Sequence, residues 1–194
     1  MLLEGVRVGF AITGSFCTLA KTVPQVEVLV NEGAVVTTIL SDSVNNYDTR
    51  FGTAEDLKNK LQVITGRKPL TTIVEAEPIG PKALLDILVI APCTGNTIAK
   101  IASAITDGPV TMACKAHLRN MRPVVIAVST NDGLSANARN IGVLLNTKNI
   151  YMVPFGQDDP IKKCTSLVAD FDQILPTVLG ALQNNQMQPI LIRS

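Results

Sequence analysis

Val6-Arg7-Val8-Gly9-Phe10-Ala11-Ile12-Thr13-Gly14-Ser15 is the stretch on which the fold turns. Residues 6–12 form a short apolar run with β-branched members, the composition of a strand buried on both faces. Thr13, Gly14 and Ser15 then break the run with turn chemistry. From about Phe16 the apolar residues Leu19, Val23, Val26, Leu29 and Val30 recur at helical spacing, with Pro24 placed to kink the helix and Gly33 placed as its C-cap. Residues 34–40 read as a second strand, closed by Ser41, Asp42 and Ser43. Strand, helix and strand in that order make a βαβ unit, which brings parallel strands and a covering helix.

The rest of the chain keeps the rhythm. Residues 53–65 are predicted helical, with Thr53 and Asp56 at the N-cap and N3 positions of a capping box. A short strand is expected over residues 71–76, and a fully apolar one over 86–91, stopped by Pro92. Helices follow over residues 95–104 and 109–121, the second capped by Asp107 with Pro109 in its first turn. Residues 123–129 read as a strand, 134–145 as a helix, 150–153 as a short strand, and 164–182 as a closing helix containing Pro176. The tail from Gln183 is expected to be loosely ordered or to pack on a neighbour. The fold class that follows is α/β: a three-layer, flavodoxin-like, doubly wound parallel sheet of about six strands with helices on both faces, in a single domain over residues 1–194.

Composition agrees with that reading. Apolar residues are 46% of the 194 and aromatic residues only 4%, so the core must be Val, Ile, Leu and Ala. A net charge of +1 supplies no field for a nucleic-acid groove. Cys17, Cys93, Cys114 and Cys164 form no Cys-x-x-Cys pair and His117 has no companion, so reduced thiols and no metal site are expected. The N-terminus has no secretory pattern and no run reaches the roughly 18–20 apolar residues of a membrane span, which predicts a cytoplasmic protein. A mean hydropathy of +0.29 points to apolar surface buried between copies.

In a doubly wound sheet the ligand sits outside the carboxyl ends of the strands. Four loops fall there: Thr13-Gly14-Ser15, Ser41-Asp42-Ser43, Pro92-Cys93-Thr94-Gly95-Asn96-Thr97 and Ser129-Thr130-Asn131-Asp132-Gly133. Each is small and polar, and two lead directly into helices whose free N–H groups attract phosphate. Such residues are also what ordinary turns and caps prefer, so the argument rests on their shared edge. Neither G-x-G-x-x-G nor G-x-x-x-x-G-K-[ST] occurs, which disfavours a dinucleotide or a hydrolysed triphosphate and leaves a mononucleotide.

Thr13-Gly14-Ser15, Ser41 with Ser43, the run Ala91-Pro92-Cys93-Thr94-Gly95-Asn96-Thr97-Ile98-Ala99-Lys100, and Ile105-Thr106-Asp107-Gly108 resemble, in that order, the homo-oligomeric flavin-containing cysteine decarboxylase family. The family's P-A-S-A-N-T hallmark stands here as Pro92-Cys93-Thr94-Gly95-Asn96-Thr97. The resemblance runs from about residue 6 to residue 150. It implies FMN as cofactor, with Thr13, Gly14 and Ser15 at the phosphate, Ser41 and Ser43 near the phosphate or ribityl chain, and Pro92, Cys93, Thr94, Gly95, Asn96 and Thr97 along the isoalloxazine. Thr106 and Asp107 would come from the next turn, and Ser129 and Thr130 would close the phosphate side. A trimer-based homo-oligomer with flavin at subunit interfaces is implied as well.

Two family features are missing. Decarboxylases of the family carry a histidine between the second and fourth strands, yet residues 41–91 contain none, and the P-x-M-N-x-x-M substrate clamp is replaced by Ser129-Thr130-Asn131-Asp132-Gly133-Leu134. No catalytic residue can therefore be named. Within the family the chain is most similar to subunits of endospore-forming bacteria that work in the mother cell beside a separate dehydrogenase-like subunit. The resemblance implies that NAD(P) enters only through that partner and that the pair aromatises a dihydropyridine-type dicarboxylate. A flavin-dependent decarboxylase, a flavin prenyltransferase-like enzyme and a non-catalytic scaffold are the rival readings. Lys100 is the nearest cation for a dicarboxylate. His117 is expected to be structural, Cys93 to be a buried thiol, and Asp158-Asp159 and Glu75 with Glu77 to be solvated carboxylates.

Overall fold

The computed structural model describes residues 1–192, and its first βαβ unit follows the pattern read from the sequence. Strands β1 (Arg7–Ile12) and β2 (Val35–Leu40) pair in parallel, in unbroken register from Arg7 opposite Val35 to Ile12 opposite Leu40. Between them a 3-10 turn over Phe16–Thr18 leads into helix α1 (Leu19–Asn31), which buries Val23, Val26 and Leu29 and keeps Pro24 on its exposed side. Gly33 ends the segment at φ +90°, where a Cβ would also lie 3.0 Å from the Glu4 backbone, so glycine is required twice over.

After β2 come helices α2 (Asp42–Asn46), α3 (Ala54–Thr65) and α4 (Ile73–Ala76). Strand β3 (Ile87–Cys93) then joins the free side of β1, and it is buried at every position because helices cover both faces. Helices α5 (Gly95–Ala102) and α6 (Pro109–Arg119) precede strand β4 (Val124–Thr130), which is parallel to β3. Helix α7 (Ala138–Leu145) leads to strand β5 (Ile150–Met152), parallel to the first half of β4. Strands β6 (Phe155–Asp159) and β7 (Lys163–Ala169) form an antiparallel hairpin, and helix α8 (Ile174–Leu182) follows. The sheet has seven strands in the order β2-β1-β3-β4-β7-β6, with β5 on β4. One apolar cluster runs through it from Leu3 to Ala181.

Four sequence expectations change. Residues 164–182 are not one helix: β7 and a 3-10 turn take the first half, and only Ile174–Leu182 is α-helical. Pro176 permits this because it lies in the first turn of α8, where its missing N–H would have no helical partner anyway. The expected strand over residues 71–76 is a capped helix. Glu75 accepts from the N–H groups of Thr71 (2.8 Å) and Thr72 (3.0 Å), while Thr72 Oγ1 accepts from Glu75 N, so a local capping box outweighs β propensity. Those donors hold the Glu75 carboxyl below its ordinary range, the Thr71 N–H foremost.

Gly108, not Asp107, caps α6, and the Asp107 carboxylate instead pairs with Lys100 Nζ at 2.8 Å. Finally, the tail packs on its own chain. Gln186 exchanges hydrogen bonds of 2.7 and 2.8 Å with the Met152 backbone, and Phe155 N donates to Ile190 O at 2.9 Å. Residues 193 and 194, part of that expectation, lie outside the described residues. No helix among the described residues is long and apolar enough to cross a membrane.

Candidate ligand-binding site

Because β1 to β4 run parallel, the loops that follow them gather at one edge of the sheet. Thr13 ties two of these loops together. Its hydroxyl donates to Pro92 O at 2.6 Å and accepts from Thr94 N at 3.0 Å, and the residue is buried. Ser15 Oγ lies 2.8 Å from Ser129 Oγ, linking the loops after β1 and β4. Ser41 and Ser43 hydroxyls lie 3.1 Å apart, and a Cβ on Gly14 would come within 2.7 Å of Ser43 Oγ. The loops after β1 and β2 therefore touch at Gly14, where a side chain would have to displace the Ser43 hydroxyl.

At the start of α5, Thr94 is the N-cap. Its Oγ1 accepts from Thr97 N at 3.4 Å and lies 3.1 Å from Thr97 Oγ1. Gly95 packs on a polar network that the sequence reading did not find. Thr130 Oγ1 donates to Asp132 Oδ1 at 2.5 Å, Asn137 Nδ2 to Asp132 Oδ2 at 2.8 Å, and Asn140 Nδ2 to Asn137 Oδ1 at 2.8 Å. A Cβ on Gly95 would meet Thr130 Oγ1 and come within 2.6 Å of Asn137 Nδ2. The network thus draws the α5 N-terminus against β4.

This rim borders a cavity of about 960 Å³. Gly14, Ser15, Thr94, Gly95, Ser129 and Thr130 line it, bringing together three of the four loops singled out in the sequence. Thr13, Pro92, Cys93 and Thr97 stand behind the rim as buried residues, while Asn96 and Asp107 are exposed, Ser41, Ser43 and Thr106 are half-buried, and none of these five lines the cavity. Asp42, the first residue of α2, lies opposite Gly108, whose added Cβ would be 3.5 Å from Asp42 Oδ2.

The two buried thiols are spectators. Burial pushes Cys93 well above the ordinary thiol range and Cys114 up to about 12, so both stay protonated. His117 lies near the end of α6, beside Arg122 and Asp86 and so at the opposite edge of the sheet from the rim; burial lowers its pKa to about 4 and keeps the imidazole neutral. Asp86 itself is held below the ordinary carboxylate range, first by its hydrogen bond from Arg7, with Arg122 adding to it. Lys100 is occupied by Asp107 and does not line the cavity. Among the described residues no cluster of His, Cys, Asp and Glu could hold a metal ion.

A family model described as Flavoprotein matches residues 2–183. The chain belongs to the Flavoprotein family. It is 50% identical over 192 residues to the dipicolinate synthase B subunit of Bacillus subtilis (strain 168), covering 99% of this chain and 96% of that one. The crystal structure of the dipicolinate synthase B subunit from Bacillus halodurans matches with a TM-score of 0.92 at 48% identity over 100% of both chains. An FMN-dependent cysteine decarboxylase, SpaF, shares the fold at a TM-score of 0.65 and 23% identity, covering 95% of this chain and 98% of its own.

What sequence reasoning missed in this Flavoprotein chain is the rest of the cavity lining. Lys21 and Gln25 reach it from α1, Arg50 and Phe51 from the loop before α3, and Ser166 to Ala169 from β7. The β7 residues were hidden by the helical reading of residues 164–182. Arg50 and Phe51 lie in a connection that carries no motif, and only its chain path brings them to the site.

Proposed function

We propose that this chain is the flavin-binding B subunit of a dipicolinate synthase, one domain of a homo-oligomer in which FMN lies along the loop rim. Its partner would be the A subunit of dipicolinate synthase, a dehydrogenase-like chain that brings NAD(P), and together they would oxidise a dihydrodipicolinate-type precursor to dipicolinate in the mother-cell cytoplasm during sporulation. The observation that carries this reading is the rim itself, present in a chain 50% identical over its length to a dipicolinate synthase B subunit.

The residues present fit a phosphorylated flavin. Gly14 and Gly95 leave the backbone bare where a side chain would collide with its neighbours, and the hydroxyls of Ser15, Ser129, Thr94 and Thr130 surround that opening. The first amides of α5 and its positive end favour a dianionic phosphate beside them. Ser41 and Ser43 would take the ribityl side, with Thr13 holding the loops. Pro92, Cys93, Thr94, Gly95, Asn96 and Thr97 would border the ring, largely through backbone, with the Asn96 amide offering a donor and an acceptor. Thr106 and Asp107 would face the ring from a neighbouring turn. Asn96 and Asp107 are exposed in the single chain, which suits a ring bound between subunits, as do the exposed Tyr47, Phe51 and Leu134.

When bound, FMN would supply a two-electron acceptor suited to taking hydride from a ring that becomes aromatic. This chain's own contribution is to orient the ring compound and to exclude water. The reading is tested by purifying the full chain, measuring FMN uptake by flavin fluorescence quenching, and assaying dipicolinate formation by the dehydrogenase-like partner with and without it. FMN uptake and a dipicolinate yield that depends on this chain are expected. Full yield from the partner in the absence of this chain overturns the reading.

A further inference from the structure

Charged side chains line the cavity beside its hydroxyl rim, and two of its cations have no ion-pair partner among the described residues. Three cations line it: Lys21, Arg50 and Lys163. Lys163 is neutralised by Asp158 at 2.5 Å, a pair that also raises the Lys163 pKa. Lys21 and Arg50 have no ion pair among the described residues. Three aspartates line the cavity as well, of which only Asp158 is ion-paired, while Asp170 and Asp172 accept from neutral donors and keep their charge. Asp158 holds Lys163, Asp172 Oδ1 accepts from Gln25 Nε2 at 2.9 Å, and Asp170 Oδ1 accepts from Asp172 N at 3.1 Å.

Arg50 is held in place without being used up. Thr49 and Gly52 exchange backbone hydrogen bonds of 3.0 and 3.1 Å, a tight turn with Arg50 and Phe51 at its tip, and Gly52 sits at φ +137° as such a turn requires. Asp48 Oδ1 accepts from Ala54 N at 2.9 Å, anchoring the turn to the start of α3. Arg50 Cζ lies 4.9 Å from the Phe51 ring centre, a cation–π contact, and the guanidinium has no ion-pair partner among the described residues. A planar fork of donors is the group that recognises a carboxylate by two parallel hydrogen bonds.

We infer that Arg50, seconded by Lys21, is the carboxylate-recognition element of this cavity, selecting a small dianionic ring compound. This deepens the functional reading above and rests on it for the identity of the ring. It also replaces Lys100, whose charge is spent on Asp107, as the cation facing a dicarboxylate.

The test is calorimetric titration of the full chain with pyridine-2,6-dicarboxylate and with its neutral dimethyl ester, comparing wild type with Arg50→Gln, Lys21→Gln and Lys115→Gln. Lys115 is exposed on α6 and away from the cavity, so it controls for net charge. The dianion is expected to bind the wild type and the Lys115 variant alike, with Arg50→Gln weakening it about tenfold or more and Lys21→Gln less. Equal binding of the ester, an unchanged affinity in Arg50→Gln, or no binding of the dianion by wild type overturns the inference. FMN uptake, measured on the same samples, separates the two claims: uptake without dianion binding sinks only the inference, and Arg50-dependent dianion binding without uptake sinks only the flavin reading.

Discussion

Thr13→Val should damage this protein more than any other single change of equal size on the rim. Valine keeps the shape and removes one hydroxyl, which donates to Pro92 O at 2.6 Å and accepts from Thr94 N at 3.0 Å. Thr13 is only 1% exposed, so water cannot replace its hydroxyl at Pro92 O, whereas Thr94 is half-buried on the cavity wall. Pro92 O keeps a weaker partner in Thr13 N at 3.3 Å, and Thr94 N loses its only side-chain acceptor. One lost hydrogen bond of ~1 kcal/mol and one unpaired, half-buried amide at ~1 kcal/mol give a loss of about 2 kcal/mol. With a urea slope near 2 kcal/mol/M, that is a midpoint shift of about 1 M, measured at fixed protein concentration. FMN affinity should fall with it, since the hydroxyl aligns the Gly14 loop with the α5 N-terminus. Thr13→Ser separates the causes: it keeps both bonds, loses one buried methyl worth about 1 kcal/mol, and should retain FMN binding. The reasoning fails if Thr13→Val unfolds at the wild-type midpoint, or if serine proves as harmful as valine.

Gly95→Ala places a methyl among Thr130, Asp132 and Asn137, and overpacking of that kind costs ~1–3 kcal/mol. Thermal unfolding should show a lower Tm together with weakened FMN uptake, whereas an unchanged Tm would mean that the network yields freely. His117 sets a pH dependence. Its folded pKa of about 4 lies below the ordinary 6.5, so the unfolded chain takes up a proton that the folded chain refuses. Stability from this source is complete above pH 6.5, declines as pH falls from 6.5 to 4, and levels off below; the loss is on the order of 3 kcal/mol. Urea titrations across that window should be steeper in pH for wild type than for His117→Gln, and parallel curves would refute the assignment.

The first βαβ unit, the buried strand leading into Pro92, the Thr53 cap of α3 and the hydroxyl loops at the strand ends were legible in the linear order of residues, because each depends on near neighbours in sequence. The β6–β7 hairpin was not. Its residues alternate too weakly to distinguish a strand from a helix, and β7 is held in place by pairing with β4 and β6, partners remote in sequence. The strand expected at residues 71–76 failed for the opposite reason, since Glu75 and Thr72 close a local cap stronger than β propensity.

The candidate site divides in the same way. By itself the sequence offered its chemistry: small hydroxyl residues and glycines after successive parallel strands, with Asp42 and Asp132 among them. Tertiary structure alone decided the arrangement, in which Thr13 faces inward as a clamp, Gly95 rests on the Asp132 and Asn137 network, and Arg50 arrives from an unremarkable turn to complete the cavity lining. Hydrogen-bond partners and unpaired charges are properties of distances between chain segments, and those distances exist only once the sheet has assembled.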